Sequence, residues 1–231
     1  MNATHRNNRV AFDLHQHGFI TTEANNEVLT DEQLRLVVLL NKLQDIHQTQ
    51  SCIHFDNCAF KEGVNYIHSE WDVINASGDH FDPVALGAFG RLLHTVQDFY
   101  AHSNWIELHL DATPIPVWNL SVEDLPAGMV SGTWVLGSPK DCSKGTPSHK
   151  ELNKDNPSSE EGKKVVEGGP HKGRTLFELA LDTAVQATIE QFERLRQSMG
   201  KQLAYRPEVK HEGTQRLIEA ARETERLRDR M

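Results

Sequence analysis

Apolar residues recur at steps of three and four along the chain, and this spacing predicts a mostly α-helical protein. The four strongest predicted helices span residues 31–47, 60–75, 84–108 and 175–200. Thr30 and Gln33 form a capping-box pattern at the start of the first helix. We therefore expect a helical bundle with little sheet.

Two glycines interrupt the third predicted helix, at Gly87 and Gly90. Glycine inside a helix costs about 1 kcal/mol relative to alanine. Their presence predicts that a neighbouring helix packs closely against this stretch.

The stretch 110–173 differs from the helices around it, since its second half is rich in Gly, Pro, Ser and Lys. We expect short extended pieces near Val117 and at 133–136, within a long loop insertion. Loops of this length in a compact domain are usually functional or disordered. The predicted organisation is one helical domain over 1–200 that carries this insertion.

Residues 201–231 are highly charged and contain few apolar positions, which predicts a solvated terminal helix. The alternative is a segment that docks onto a partner protein or leads into a fused domain.

The chain has 231 residues, of which 38% are apolar and 25% charged, as in a soluble globular protein. No run approaches the roughly 18 apolar residues of a membrane helix. The net charge of −9 disfavours nucleic acid as a general partner. A nuclease stays an alternative, because bound divalent cations would reverse the charge locally.

The N-terminal residues 1–18 are polar and contain no apolar segment typical of a signal peptide. Localisation is therefore left open, and an exported effector would need another route or a longer parent chain. The three cysteines, Cys52, Cys58 and Cys142, do not make a complete disulfide framework. We expect small, partly buried thiols, with a Cys52–Cys58 bridge as the alternative.

Thirteen histidines are the unusual feature of the composition. His94 and Asp98 lie about 40° apart around the third helix, on one face, and His102 follows one turn later. Imidazole and carboxylate together suit a divalent metal, with zinc favoured. Further histidines and acids occur near the ends of other helices, in "DLHQHGF", "CIHFDN" and "SHKELNKD". This spacing predicts a metal site in which Asp98 bridges two ions.

The stretch "ALGAFGRLLHTVQDFYAHSNWIEL" resembles the signature of the Het-C family, named for a fungal heterokaryon-incompatibility protein. "IHFDN" and "SHKELNKD" also resemble that family, so the likeness spans about residues 13–195. The family is in turn distantly similar to zinc-dependent phospholipases C and fungal single-strand nucleases. That resemblance implies a helical fold around a cleft that holds one to three zinc ions.

The resemblance also implies the metal ligands. They are His17, with His15 as the rival, then His54, His94, Asp98, His102 and His149, and finally a carboxylate. Asn153 stands where that carboxylate belongs, so Glu151 or Asp155 must replace it. The implied function is a phosphodiesterase similar to phospholipase C, acting on phospholipid membranes in conflict between cells. Asp56 is the candidate general base, if it is not a ligand.

Trp105, Trp118 and Trp134 either line a groove for acyl chains or head groups, or pack in the core. The main alternative function is a non-catalytic toxin domain that a metal stabilises and that acts on membranes or binds a partner. A nuclease is the second alternative.

Overall fold

The computed structural model describes residues 14–25, 27–77 and 81–198. Within these ranges the protein is mostly helical and has no strand, although four isolated β-bridges occur. The α-helices are α1 (Leu14–Ala24), α2 (Asp31–Lys42), α3 (Ser51–His54), α4 (Phe60–Ala76), α5 (Pro83–His102), α6 (Trp105–Leu108), α7 (His149–Leu152) and α8 (Leu176–Ser198). The expected mostly α fold is confirmed.

Helix α5 lies at the centre, in contact with α2, α4 and α8, while α1 packs on α2 and α8. Its start is well defined, because the Asp82 side chain accepts hydrogen bonds from the backbone N–H groups of Val84 and Ala85, and Pro83 opens the helix. Almost every residue from Ala85 onward is buried, on all sides of the helix. Polar side chains on α5 are therefore held in the core, where they need polar partners.

Gly90 marks the predicted close contact between helices. A Cβ atom there would stand 2.5 Å from the backbone oxygen of Val37 in α2, which no side chain could avoid. Gly87 has more room, since the nearest atom to its Cβ would be 3.4 Å away. Only Gly90 is thus required by the approach of α2.

Two predicted helices are shorter than expected. The capping box at Thr30 is present, but α2 ends at Lys42 and a 3₁₀ segment, Leu43–His47, continues the chain. The helix predicted over 84–108 breaks after His102, because Ser103 is extended. Asn104 there exchanges two hydrogen bonds with the backbone of Val130, which fixes the following segment against the end of α5.

Apart from α7 and a 3₁₀ turn at Val122–Asp124, the segment 110–173 is irregular. Thr133 pairs with Ser148 in an isolated bridge, and no strand forms near Val117 or over 133–136. A disulfide joins Cys58 to Cys142, with the Cα atoms 4.9 Å apart, and Cys52 is a free thiol. The expectation of partly buried, unpaired thiols therefore holds for Cys52 but was wrong for Cys58 and Cys142, and the alternative Cys52–Cys58 bridge was wrong. The disulfide links the insertion to the region between α3 and α4.

Helix α8 buries the predicted stripe, from Phe177 through Ala184 and Thr188 to Leu195. Its expected stop at Gly200 and the helical tail over 201–231 lie outside the described residues. Among the described helices, none combines the length and the apolar character needed to cross a bilayer.

Candidate metal centre

Three ligand atoms from two helices form a small triangle in the core. Asp98 Oδ2 lies 3.0 Å from His94 Nε2 and 2.8 Å from His54 Nδ1, and the two nitrogens are 3.2 Å apart. His94 and Asp98 face the same way because they are one turn apart on α5. His54 ends α3, where Phe55 adopts a left-handed conformation (φ 50°) that turns the chain.

The triangle is small enough for one metal ion to contact all three ligand atoms. The ligand atoms of a tetrahedral divalent ion, with bonds of roughly 2.0–2.1 Å, stand about 3.3 Å from one another. The other ring nitrogen of each histidine, His54 Nε2 and His94 Nδ1, is also buried. Neither has a hydrogen-bond partner among the described residues. Buried histidine and aspartate side chains are thus positioned to bind a metal ion.

Asp45 joins this group, although no motif or spacing in the sequence had pointed to it. Its carboxylate lies within 4.8 Å of the ligand nitrogens of His54 and His94. Both carboxylate oxygens are buried without a hydrogen-bond partner in the described part of the chain. Burial raises the pKa of Asp45 to about 7. A bound cation would offset that burial and restore the ionised form.

His17 reaches the opposite oxygen of Asp98 from α1, with Nε2 3.2 Å from Oδ1. The side-chain oxygen of Gln97 accepts a hydrogen bond from His17 Nδ1 at 2.7 Å. His17, His94 and Asp98 form a second set of atoms that could hold a metal. His15 is exposed, so the structure brings His17 rather than its rival into the site. Asp98 therefore lies between two candidate metal positions, as a bridging carboxylate would.

A third group lies at the end of α5. His102 Nε2 is 2.9 Å from Asp155 Oδ1, and its Nδ1 donates to the backbone oxygen of His54 at 2.8 Å. His149 lies between two carboxylates, with Nδ1 2.9 Å from Asp56 Oδ1 and Nε2 3.5 Å from Asp155 Oδ2. Asp56, His102 and His149 could together hold a metal. Asp56 is thus placed as a ligand would be, and its role as general base stays a prediction.

Asp155, rather than Glu151, supplies the carboxylate expected near Asn153. Glu151 binds the Ser148 hydroxyl and backbone N–H in a capping box at the surface. Lys154, fully buried, donates to Ser103 O and to Glu107 Oε1. This buried lysine anchors the neighbouring Asp155 against the end of α5.

The chain matches the family model described as the VWA7 N-terminal domain over residues 17–133, just over half of its length. The chain belongs to the VWA7 N-terminal domain family. No curated protein and no solved structure matches it. The matched region contains His17, Asp45 and all the site residues of α3 and α5. It ends before His149 and Asp155, which the long insertion supplies.

The pKa shifts of the ligand side chains differ between the two ends of the site. Burial lowers the pKa of His94 to about 3, so its imidazole is neutral, as a metal ligand must be. Burial opposes ionisation of Asp98, but His94 and the other imidazoles around it outweigh burial and hold its pKa well below the usual range. Near His102, burial is outweighed by the surrounding carboxylates, Asp98 first, which raise its pKa well above the ordinary value.

Of the three tryptophans considered for a groove, two pack in the core instead. Trp105 and Trp118 are buried, and the Trp118 ring stacks on Phe99. Trp134 is different, because it is partly exposed and its ring lies against His149, with the centroids 5.6 Å apart. Of the three, Trp134 alone borders the metal-binding groups.

Proposed function

We propose that this chain is a metal-dependent phosphodiesterase, similar to zinc-dependent phospholipase C, and that it hydrolyses phospholipids. The observation that carries the proposal is the position of Asp98 between His17 on one side and His54 and His94 on the other. A carboxylate shared in this way suits two neighbouring ions, and multi-metal sites are typical of phosphodiester hydrolysis. The Het-C resemblance supports a setting in conflict between cells.

Divalent zinc supplies Lewis acidity, which neutralises charge on phosphoryl oxygens and lowers the pKa of water to about 7. The residues of the chain fix where that chemistry occurs. His54, His94 and Asp98 hold their ligand atoms within 2.8–3.2 Å of one another. Since these side chains are packed in the core, their ligand atoms are held in position before an ion binds.

The experiment is an elemental analysis of the purified protein, followed by hydrolysis assays. We expect bound zinc, and release of head group from phosphatidylcholine that a chelator abolishes. His17→Ala should lower both metal content and activity. His15→Ala is the matched control, since it removes an exposed histidine from the same helix. Metal binding without hydrolysis of lipid or nucleic acid would overturn the enzyme proposal.

A second candidate is a non-catalytic domain that a metal stabilises and that acts on membranes or on a partner. Burial favours it, because His94, Asp98 and His102 have no exposed surface. A substrate must reach at least one ion, whereas a structural ion can be fully enclosed. The same assays separate the two, since a structural site predicts metal-dependent stability without turnover.

A further inference from the structure

A turn beside the metal-binding groups carries two exposed aliphatic side chains. Gly137 N donates to Trp134 O at 3.1 Å and closes the turn, with Val135 and Leu136 at its centre. Their exposed fractions are 82% and 68%. Turn centres favour Gly, Pro, Asn, Asp and Ser, for reasons of backbone conformation and local hydrogen bonding. Neither turn chemistry nor core packing explains these two side chains.

The turn is fixed to the site by hydrogen bonds on its first residue. The Asn57 side chain accepts from Trp134 N at 2.8 Å and donates to Trp134 O at 3.0 Å. Asn57 directly follows Asp56, one of the candidate ligands. The Trp134 ring lies against His149, which pairs with Asp56. Val135 therefore directly follows Trp134, a residue that borders the third metal-binding group.

The other end of the turn is held as firmly. Ser138 N donates to Thr49 O at 3.0 Å, and Ser51 N donates to Ser138 O at the same distance. A Cβ atom on Gly137 would stand only 2.5 Å from the Asn57 side chain and 2.7 Å from that of Ser51, so the turn presses closely on this region. The two aliphatic side chains are consequently held in solvent.

The sequence segment that contains the turn is locally basic. Residues 131–150 contain three lysines and one aspartate, which gives +2 before Glu151 follows, whereas the chain carries −9. Lys140, Lys144 and Lys150 are all exposed. Lys140 Nζ donates to the backbone oxygen of Val135 at 2.7 Å, which places a cation directly beside the aliphatic pair.

We propose that the aliphatic turn, Trp134–Gly137, docks onto an anionic phospholipid bilayer, with Val135 and Leu136 inserted among the head groups. Exposed aliphatic side chains next to lysines suit an anionic bilayer, in which negatively charged head groups cover an apolar interior. This inference rests on the proposed function. It adds the surface through which the protein would bind the membrane that contains its lipid substrate.

The test is co-sedimentation of the metal-loaded protein with vesicles of equal parts phosphatidylcholine and phosphatidylserine. Val135→Ser with Leu136→Ser should lower the vesicle partition coefficient by about 10- to 100-fold, from the apolar burial that is lost. Val84→Ser is the matched control for Val135→Ser. Val84 is 65% exposed but lies at the far end of α5 from His102. Vesicles of phosphatidylcholine alone should bind wild type less, since the lysines lose their partner.

Failure of this proposal is separable from failure of the proposed function. If wild type does not bind the vesicles, or the double variant binds equally well, the docking surface is wrong and a protein partner becomes the occupant to seek. Hydrolysis of a soluble nitrophenyl phosphodiester reports on the metal site alone, and the turn variants should leave it unchanged. Vesicle binding without any hydrolysis would contradict the proposed enzyme activity and would still support the proposed docking surface.

Discussion

The side-chain oxygen of Gln97 lies 2.7 Å from Nδ1 of His17, eighty positions apart in the chain. An amide oxygen only accepts, so His17 Nδ1 carries the hydrogen and Nε2 turns towards Asp98. The Gln97 amide nitrogen donates to Thr21 and Thr188, which fixes its orientation. Gln97 thus sets the tautomer and direction of a candidate ligand, as residues behind metal ligands commonly do.

Replacing Gln97 tests this arrangement. We expect Gln97→Leu to weaken metal binding by about 10- to 100-fold, since His17 loses its acceptor. Gln97→Glu keeps an acceptor oxygen and should retain most of the affinity, although both variants lose the bonds to Thr21 and Thr188. Isothermal titration with zinc measures the affinity, and thermal unfolding measures stability. Equal loss of affinity in both variants would indicate a packing role only.

Asp45 is the residue that the structure adds to the ligand set, so its variant is informative. Asp45→Asn should lower the zinc content per chain, because an amide is a far weaker ligand than a carboxylate. Without metal, the variant should be as stable as wild type or more stable, since it removes a buried acid without a hydrogen-bond partner among the described residues. Asp72→Asn, on an exposed face of α4, is the control. Unchanged zinc content in Asp45→Asn would exclude it as a ligand.

The free energy of unfolding should fall as pH rises in the metal-free protein but not in the zinc-bound protein. Burial lowers the pKa of His149, but Asp56 and Asp155 together outweigh burial, and the result is about 9 against an ordinary 6.5. Between these values the metal-free folded state binds more protons than the unfolded state, so its free energy of unfolding should fall as pH rises. His102, with a pKa also raised, adds to this trend.

Zinc binding requires the same imidazoles to be neutral, so stabilisation by zinc should grow over that pH window. Urea unfolding at both ends of the window, with zinc and with chelator, measures the two slopes. A parallel dependence in the two conditions would contradict the placement of His102 and His149 in a metal site.

The disulfide should contribute most to the positions of His149 and Asp155, the candidate ligands that the insertion supplies. Cys58–Cys142 closes a separation of 84 residues and holds 110–173 beside Asp56. Cys142→Ser should lower the free energy of unfolding by about 2–5 kcal/mol. It should also release the ion held near His149 before the one near His94. Cys52→Ser, which removes the free thiol, should change neither the unfolding curve nor the number of metals per chain.

Some features followed from the sequence because their cause is local. The helical period placed His94 and Asp98 on one face, and the capping box located the start of α2. The break after His102 was missed, because it depends on Asn104 binding Val130, a residue far along the chain. The Cys58–Cys142 pairing was missed for the same reason, since no local pattern encodes it.

The sequence by itself determined a mostly helical chain and a central helix with a histidine and an aspartate one turn apart. The tertiary structure decided which other side chains meet them. His15 and His17 lie on opposite sides of α1, and only the packing of that helix turns His17 inwards. Asp45 and Asp155 come from a 3₁₀ segment and a long insertion, where no periodicity fixes direction. Their place in the site depends on long-range contacts with α3 and α5, which a linear pattern does not contain.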